Sequence, residues 1–524
     1  MRTDIIRMYK DVHSWVGIFS GLALFIAFYA GAITMFEAPL QRWASPPVAT
    51  AAVPLEQTDT LIAKAIAARP EAAKRYNIHV DITPGAPSRM SWSTGDRRNP
   101  GPVQYAALDA GGELVVTSAG PSPAAEFIDV LHQQVGLPLE HEQAMIVMGV
   151  VCLLYAIALI SGVIVLIPSL IKDLFLIRLG KNVKRMWLDV HNALGLFSLP
   201  FHIIMVLSAL VFAFHDQFYG AQGYAFGKAM EPPAAHHHDA PASGSLLSPA
   251  ALVATLQEQA PNFRPTMLSY AREPEGHYEL RVQGTDPLRG LRGADFGVAE
   301  VNPYTGKIVS ADYMPGKQDG WFATLTSFFA LHFGNFGGVP VRWLYFVLGL
   351  SGAFLFYTGN LLWVESRRKK ERKAGAVEQS RSTRILGSLT VGITLGCIAG
   401  ISLTLAAAKW PGFPATAQGH SLLYYGVFCA AILWALWRGT ARAAPELLAA
   451  SALATLAIPV TSLVTGLSGT GWNHADSTLM IDIVALAGAA VYAAAAHKTR
   501  QRTLNGPRDS IWSLQPQPAP EASA

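Results

Sequence analysis

Charge is scarce in this chain. Only 15% of its 524 residues are charged and 51% are hydrophobic, whereas soluble domains carry roughly 25% charged residues. An ordinary soluble globular protein is therefore excluded, and a membrane protein with water-exposed parts is indicated. Cysteine is scarcer still. Cys152, Cys397 and Cys429 all fall in apolar runs, which rules out a disulfide framework and a cysteine-rich metal site and leaves them as small buried hydrophobes. No G-x-G-x-x-G follows a strand and no phosphate loop is present. The net charge of +4 is small, no nucleic-acid signature appears, and no nucleic-acid partner is expected.

What is present is apolar runs. A bilayer core needs about 20 apolar residues as helix, and eight candidates meet that length, at 15–36, 145–168, 190–213, 340–364, 386–408, 421–437, 445–467 and 478–497. Basic residues mark alternate connections: Arg2, Arg7 and Lys10; Lys172, Arg178, Lys181, Lys184 and Arg185; Arg367 to Lys370, Arg372 and Lys373; Arg438 and Arg442; Lys498, Arg500 and Arg502. The positive-inside rule then puts both termini in the cytoplasm and the two long loops, 40–144 and 214–339, on the other side. The first run lacks a small-x-small cleavage site and reads as an uncleaved anchor.

Each long loop reads as a small α+β module. T-D-T-L-I-A-K-A-I-A-A-R has a helical period, and Y-A-A-L-D-A-G-G-E-L-V-V-T-S is a hairpin. In the second loop Ser248 is an N-cap with Pro249 at the first helical position, H-Y-E-L-R-V alternates as a strand, and N-P-Y-T-G (Asn302 to Gly306) is a hairpin turn with a structural role. The order His-helix, module, Leu-His, helix runs over 10–170 and again over 188–366. Equivalent halves of a membrane repeat commonly pack about a pseudo-two-fold axis.

Four histidines occupy that repeat. His13 lies in V-H-S-W-V-G-I-F-S-G and His191 in V-H-N-A-L-G-L-F-S-L; His132 lies in L-H-Q-Q-V-G and His332 in L-H-F-G-N-F-G-G. Ionisable groups at such places are functional by default, and four in a repeated frame indicate a shared ligand: haem held by paired imidazoles. Symmetry pairs His13 with His191 toward the cytoplasm and His132 with His332 toward the outer side. Porphyrin is broad, so Gly17 and Gly195, one turn beyond their histidines, clear its edge, with Gly21, Gly136 and Gly334 in similar roles. His202 complicates the outer pair. On a straight helix it stands about 16 Å beyond His191 on nearly the same face, and it competes with His132 or His332 as a ligand.

The chain resembles the PepSY-associated transmembrane proteins, in particular bacterial inner-membrane ferric-siderophore reductases. The resemblance rests on the four histidine motifs and on V-N-P-Y-T-G-K-I-V, and it covers about 1–370. It implies haem b in a four-helix core, two haems in all, periplasmic PepSY-like modules, and reduction of Fe(III) in a ferric siderophore or other ferric chelate. The connections on the basic side are too short for a nicotinamide or flavin domain, so the electron donor is a cytoplasmic reductase, a small reductant or quinol. The expected fold class is a mainly α membrane protein. Its domains are a first transmembrane helix (1–39), module 1 (40–144), helices 2 and 3 with a basic loop (145–213), module 2 (214–339), helix 4 (340–366), a basic linker (367–385), four further helices (386–497) and a disordered cytoplasmic tail (498–524). His13, His191, His132 and His332 are the expected axial ligands of the haem iron, with His202 as a fifth cofactor-binding candidate, and no side chain is needed as acid or nucleophile.

Other polar features are thinner. His236, His237, His238 and Asp239 have metal-ligand chemistry but lie in a Pro/Ala/Ser linker. His215 is a weak candidate, His141 and Glu142 could shape a substrate site, and Asp482 with His474 could handle protons or quinol. Met145, Met148 and Met205 read as packing. Trp15, Trp43, Trp187, Trp321 and Trp343 read as interfacial anchors. Two other functions compete. A non-enzymatic membrane-anchored PepSY module would need no haem, and an iron or siderophore transporter would move its ligand without redox change.

Overall fold

The computed structural model describes residues 3–46, 50–83, 85–93, 101–169, 183–215, 245–288, 297–373, 379–468, 476–506 and 510–514, with 48, 95 and 217. They divide into a helical unit (Met1–Ala44, Ser122–Phe214, Trp343–Ala524) and a sheet unit (Ser45–Pro121, His215–Arg342).

The helices in chain order are α1 (Thr3–Thr34), α2 (Glu37–Ala44), α3 (Thr58–Ala68), α4 (Ala124–Gln133), α5 (His141–Leu166), α6 (Val183–Phe197), α7 (Leu199–Ala213), α8 (Pro249–Gln259), α9 (Gly320–Phe333), α10 (Gly338–Lys373), α11 (Arg381–Lys409), α12 (Ala417–Arg438), α13 (Thr440–Leu467) and α14 (Asp476–Asn505). Among the described residues seven helices are long and apolar enough to cross a membrane, and α6 with α7 makes an eighth span if that pair counts as one.

That pair corrects the expectation of one straight span over 190–213. The chain bends by 67° between Phe197 and Leu199. Pro200 lacks the N–H that would continue the helical ladder, and Ser198 turns its hydroxyl back onto the Leu194 carbonyl at 2.5 Å. His191 and His202 therefore do not share one face of one helix. Three further boundaries move. Residues 122–144 belong to the helical unit, not to a loop module, because α4 buries Ala124, Ala125, Ile128 and Leu131 in the helical core. The basic linker is largely helix, with α10 running on through Lys373 and Arg368 paired to Glu365 at 3.1 Å. The described tail is ordered as well: Ile511 N–H donates to Gln379 Oε1 at 2.7 Å and Leu514 N–H to Thr503 O at 2.9 Å.

Within the helical unit, glycine every fourth residue lets α11 and α12 touch closely, the spacing that membrane helices use for backbone contact. A Cβ on Gly392 would meet Ile432 Cα at 2.7 Å, one on Gly396 would meet Phe428 Cα at 3.4 Å, and one on Gly400 would meet Tyr424 Cδ2 at 2.8 Å. A polar knot ties α2 to the C-terminal helices. Lys409 Nζ donates to Ser462 Oγ at 3.0 Å and lies 4.4 Å from the Trp43 ring centre. Ser462 donates to Asp482 Oδ1 at 2.9 Å, and Trp43 Nε1 reaches Ser462 Oγ at 3.1 Å. Trp43 is thus buried in the knot instead of anchoring at an interface. Removing one partner of such a pair strands the other charge. Lys409→Met is expected to destabilise the protein by about 3 kcal/mol, read as a lowered midpoint of thermal unfolding in detergent, and the double replacement Lys409→Met/Asp482→Leu should recover much of the loss.

In the sheet unit the strands are β1 (Arg75–His79), β2 (Met90–Ser93), β3 (Val103–Leu108), β4 (Leu114–Ala119), β5 (Arg264–Arg272), β6 (Tyr278–Thr285), β7 (Gly297–Val301) and β8 (Ile308–Tyr313). They form one antiparallel sheet in the order β4-β3-β2-β1-β5-β6-β7-β8. The two loops therefore share a sheet: β1 and β5 pair from Arg75↔Ala271 to His79↔Met267 and leave neither inner edge open. Tyr76 and Tyr270 stack across this seam with centroids 4.7 Å apart. One core holds Leu61 and Ala65 of α3 together with Leu252 and Leu256 of α8. The local signals behave as expected. Ser248 Oγ accepts from Ala251 N–H at 3.2 Å, and Asn302 Oδ1 accepts from Tyr304 and Thr305 N–H, with Gly306 at φ +71° closing that turn.

Candidate functional site

His13 on α1 and His191 on α6 face each other in the helical unit. Their ring centroids are 6.2 Å apart and the planes cross at 71°. Imidazole nitrogen lies about 2 Å from a first-row metal, so two trans rings on one metal have centres about 6 Å apart. The observed spacing fits one metal between two imidazoles.

The hydrogen bonds fix which nitrogen is available. His13 Nδ1 lies 2.8 Å from the Ala158 carbonyl on α5. A carbonyl only accepts, so Nδ1 carries the proton and Nε2 keeps its lone pair. His191 Nδ1 lies 3.0 Å from Thr358 Oγ1 on α10, and that hydroxyl donates to the Leu355 carbonyl at 2.8 Å. The threonine proton is committed, so the oxygen accepts from Nδ1–H and His191 Nε2 is likewise a free donor of electrons. The shell repeats between the halves. Ser161 and Thr358 each turn a hydroxyl back onto their own helix, Ser161 donating to the Ile157 carbonyl at 2.6 Å with Ala158 O at 3.1 Å and Thr358 to the Leu355 carbonyl at 2.8 Å, and each is followed by glycine. A Cβ at Gly162 would lie 2.9 Å from His13 Cε1, and one at Gly359 would lie 3.6 Å from His191 Cε1. This is the arrangement of a metal-binding histidine whose second N–H is held by an outer partner.

His132 on α4 follows the same pattern. Its Nδ1 lies 2.8 Å from the Ala27 carbonyl of α1, which makes Nδ1 the donor, and Gly31 clears its ring: a Cβ there would stand 2.7 Å from Nδ1. His202 on α7 is buried. Tyr155 OH lies 2.5 Å from its Nδ1, while its Nε2 has no hydrogen-bond partner among the described residues. Its ring contacts are Phe28, Tyr155, Phe201 and Phe356. His132 and His202 thus meet α1 at adjacent residues, Ala27 and Phe28, about 21 Å along the helix from His13 at 1.5 Å per residue. His332 is on α9 in the sheet unit, half-buried and beside Phe333.

The expected glycine roles hold in part. A Cβ at Gly17 would meet nothing within 4 Å, and one at Gly195 only Leu355 Cδ1 at 3.8 Å. Gly21 is in ordinary contact with Asn360. Gly136 and Gly334 serve the backbone instead: both have positive φ, +73° and +65°, and Gly334 caps α9. The glycines closest to the imidazoles are on the facing helices, at positions 31, 162 and 352, with Gly359 in ordinary contact with His191. Met148 is buried in the core with Met205 packed against it, and His141 and Glu142 are exposed at the start of α5. His236 to Asp239 and His474 lie outside the described residues. No cluster of three His, Cys, Asp or Glu side chains able to hold a metal ion occurs among the described residues.

A family model described as PepSY-associated TM region matches residues 11–366. No curated protein sequence matches the chain. With the long apolar helices, the family match makes this a multi-pass membrane protein.

Proposed function

The chain belongs to the PepSY-associated transmembrane family, and from that premise we propose that it is a di-haem reductase of the bacterial inner membrane. It would pass electrons across the bilayer to Fe(III) held in a periplasmic ferric siderophore or related chelate. The observation that carries this reading is the His13–His191 pair, with its 6.2 Å spacing and both Nδ1 protons pinned outward.

In this reading His13 and His191 hold one haem b. His132 would hold the second with His202, which brings a buried Nε2 with no hydrogen-bond partner among the described residues to the neighbouring residue of α1. Haem supplies an iron that changes oxidation state by one electron without needing a proton at the metal. The chain's own residues do the rest. Ala158 O and Thr358 Oγ1 orient the imidazoles and make them better donors. Gly162 and Gly31 let the rings approach. Phe28, Phe201 and Phe356 keep water from His202. Reduction aids release because Fe(II) suits hard oxygen ligands less well than Fe(III). The basic connections support an orientation with both termini in the cytoplasm.

Protein purified from haem-replete cells should give a pyridine haemochrome close to two haems per chain, and its reduced spectrum should bleach when ferric chelate is added. Colourless protein would reject the proposal. The outer shell has its own test. Thr358→Val removes the hydroxyl that accepts from His191 Nδ1–H, so the imidazole becomes a weaker donor and one midpoint potential should rise in a redox titration. Thr358→Ser should restore it.

A further inference from the structure

The seam between α11 and α12 contains polar atoms that the electron path above does not use. Glycines 392, 396 and 400 of α11 meet residues 432, 428 and 424 of α12 in steps of four. One more step of four on each helix reaches Thr404 on α11 and His420 on α12. Thr404, His420 and Tyr424 are each 0% exposed. Thr404 Oγ1, both ring nitrogens of His420 and the Tyr424 hydroxyl have no hydrogen-bond partner among the described residues. Buried polar groups are almost always satisfied, and each exception calls for an explanation. Here two of the three residues lie one turn apart on α12, among aromatic rings: Phe413 lies 5.6 Å from His420, and Phe127 and Phe428 each lie 5.6 Å from Tyr424.

We infer that Thr404, His420 and Tyr424 form a quinol-binding site that feeds electrons to the outer haem. The ligand must offer oxygen donors and acceptors on an otherwise apolar body, which describes a quinol. It must reach the site through lipid, and Leu422, exposed on α12 between His420 and Tyr424, suits that approach. Phe127, which touches Tyr424, is on α4, the helix that carries His132. The inference rests on the haem reading for where the electrons go, and it gives the last four helices a task. The balance is simple. One quinol loses two O–H hydrogens and becomes quinone, two protons leave by way of His420 to water, and two electrons pass singly through the outer haem to two Fe(III) chelates, giving two Fe(II).

The test uses the full-length protein in detergent with menadiol as reductant and an azido-quinone as photolabel. Menadiol should reduce the wild-type haem, and the label should fall on 417–438. His420→Gln, Tyr424→Phe and Thr404→Val should each slow menadiol-driven reduction about tenfold, the loss of roughly one hydrogen bond to a bound ligand, while dithionite reduces their haem fully. Unchanged rates in all three variants would overturn the inference, as would wild-type haem that dithionite reduces and menadiol does not. Photolabelling needs no haem, so a labelled but colourless protein would sink the haem reading and keep the quinol site.

Discussion

Replacing His191 by alanine is expected to cost the protein roughly half of its haem, and replacing His13 should cost the same half. The two rings are 6.2 Å apart and, on the proposed reading, would share one metal, so either deletion would break the same site. The double variant should therefore be no worse than either single one, the non-additivity expected of groups that share a partner. Reduction of ferric chelate by an electron donor on the cytoplasmic side should fall to background in all three, because one missing haem interrupts that path. Haemochrome quantification of the purified variants reads the first effect, and chelate reduction by proteoliposomes reads the second. A double variant that lost all its haem would mean that His13 and His191 serve different irons.

The second large effect comes from a residue that carries no functional group. A Cβ at Gly162 would stand 2.9 Å from His13 Cε1 and 3.1 Å from its Nδ1, closer than side-chain carbons ordinarily approach. Gly162→Val should push the His13 ring off the Ala158 carbonyl and empty the same haem site as His13→Ala. Gly359 is the control. A Cβ there lies 3.6 Å from His191 Cε1, an ordinary contact, so Gly359→Ala should keep its haem. Equal haem loss in both variants would show that packing of the helices matters more than the position of the ring.

How much of this was legible in the sequence follows from range. The apolar runs and basic connections foretold the spans because both are properties of contiguous residues. The repeated histidine motifs foretold that His13 and His191 meet, since like positions in two halves face each other. The break at Ser198 was signalled by Pro200, but that signal is weak against a continuous apolar run, and it changed where His202 points relative to His191. The partners of the imidazoles were not legible. Ala158 O, Ala27 O and Thr358 Oγ1 lie 105 to 167 residues from the rings they hold, and two of the three are backbone atoms that leave no trace in side-chain identity. The working glycines were misplaced for a related reason. Clearance at an imidazole is set by the helix opposite, so Gly162 and Gly31 do more than residues one turn along the ligand's own helix. The shared sheet was hidden too, because pairing of β1 with β5 depends on two loops meeting across nearly 190 residues of chain.

The most direct test of the central claim is low-temperature electron paramagnetic resonance of the oxidised protein, with near-infrared magnetic circular dichroism to identify the axial ligands. The account predicts two low-spin ferric haems with imidazole on both sides, one of which vanishes in the His13→Ala protein. A high-spin or single-imidazole signal, or a bis-imidazole signal left intact by that substitution, would contradict it.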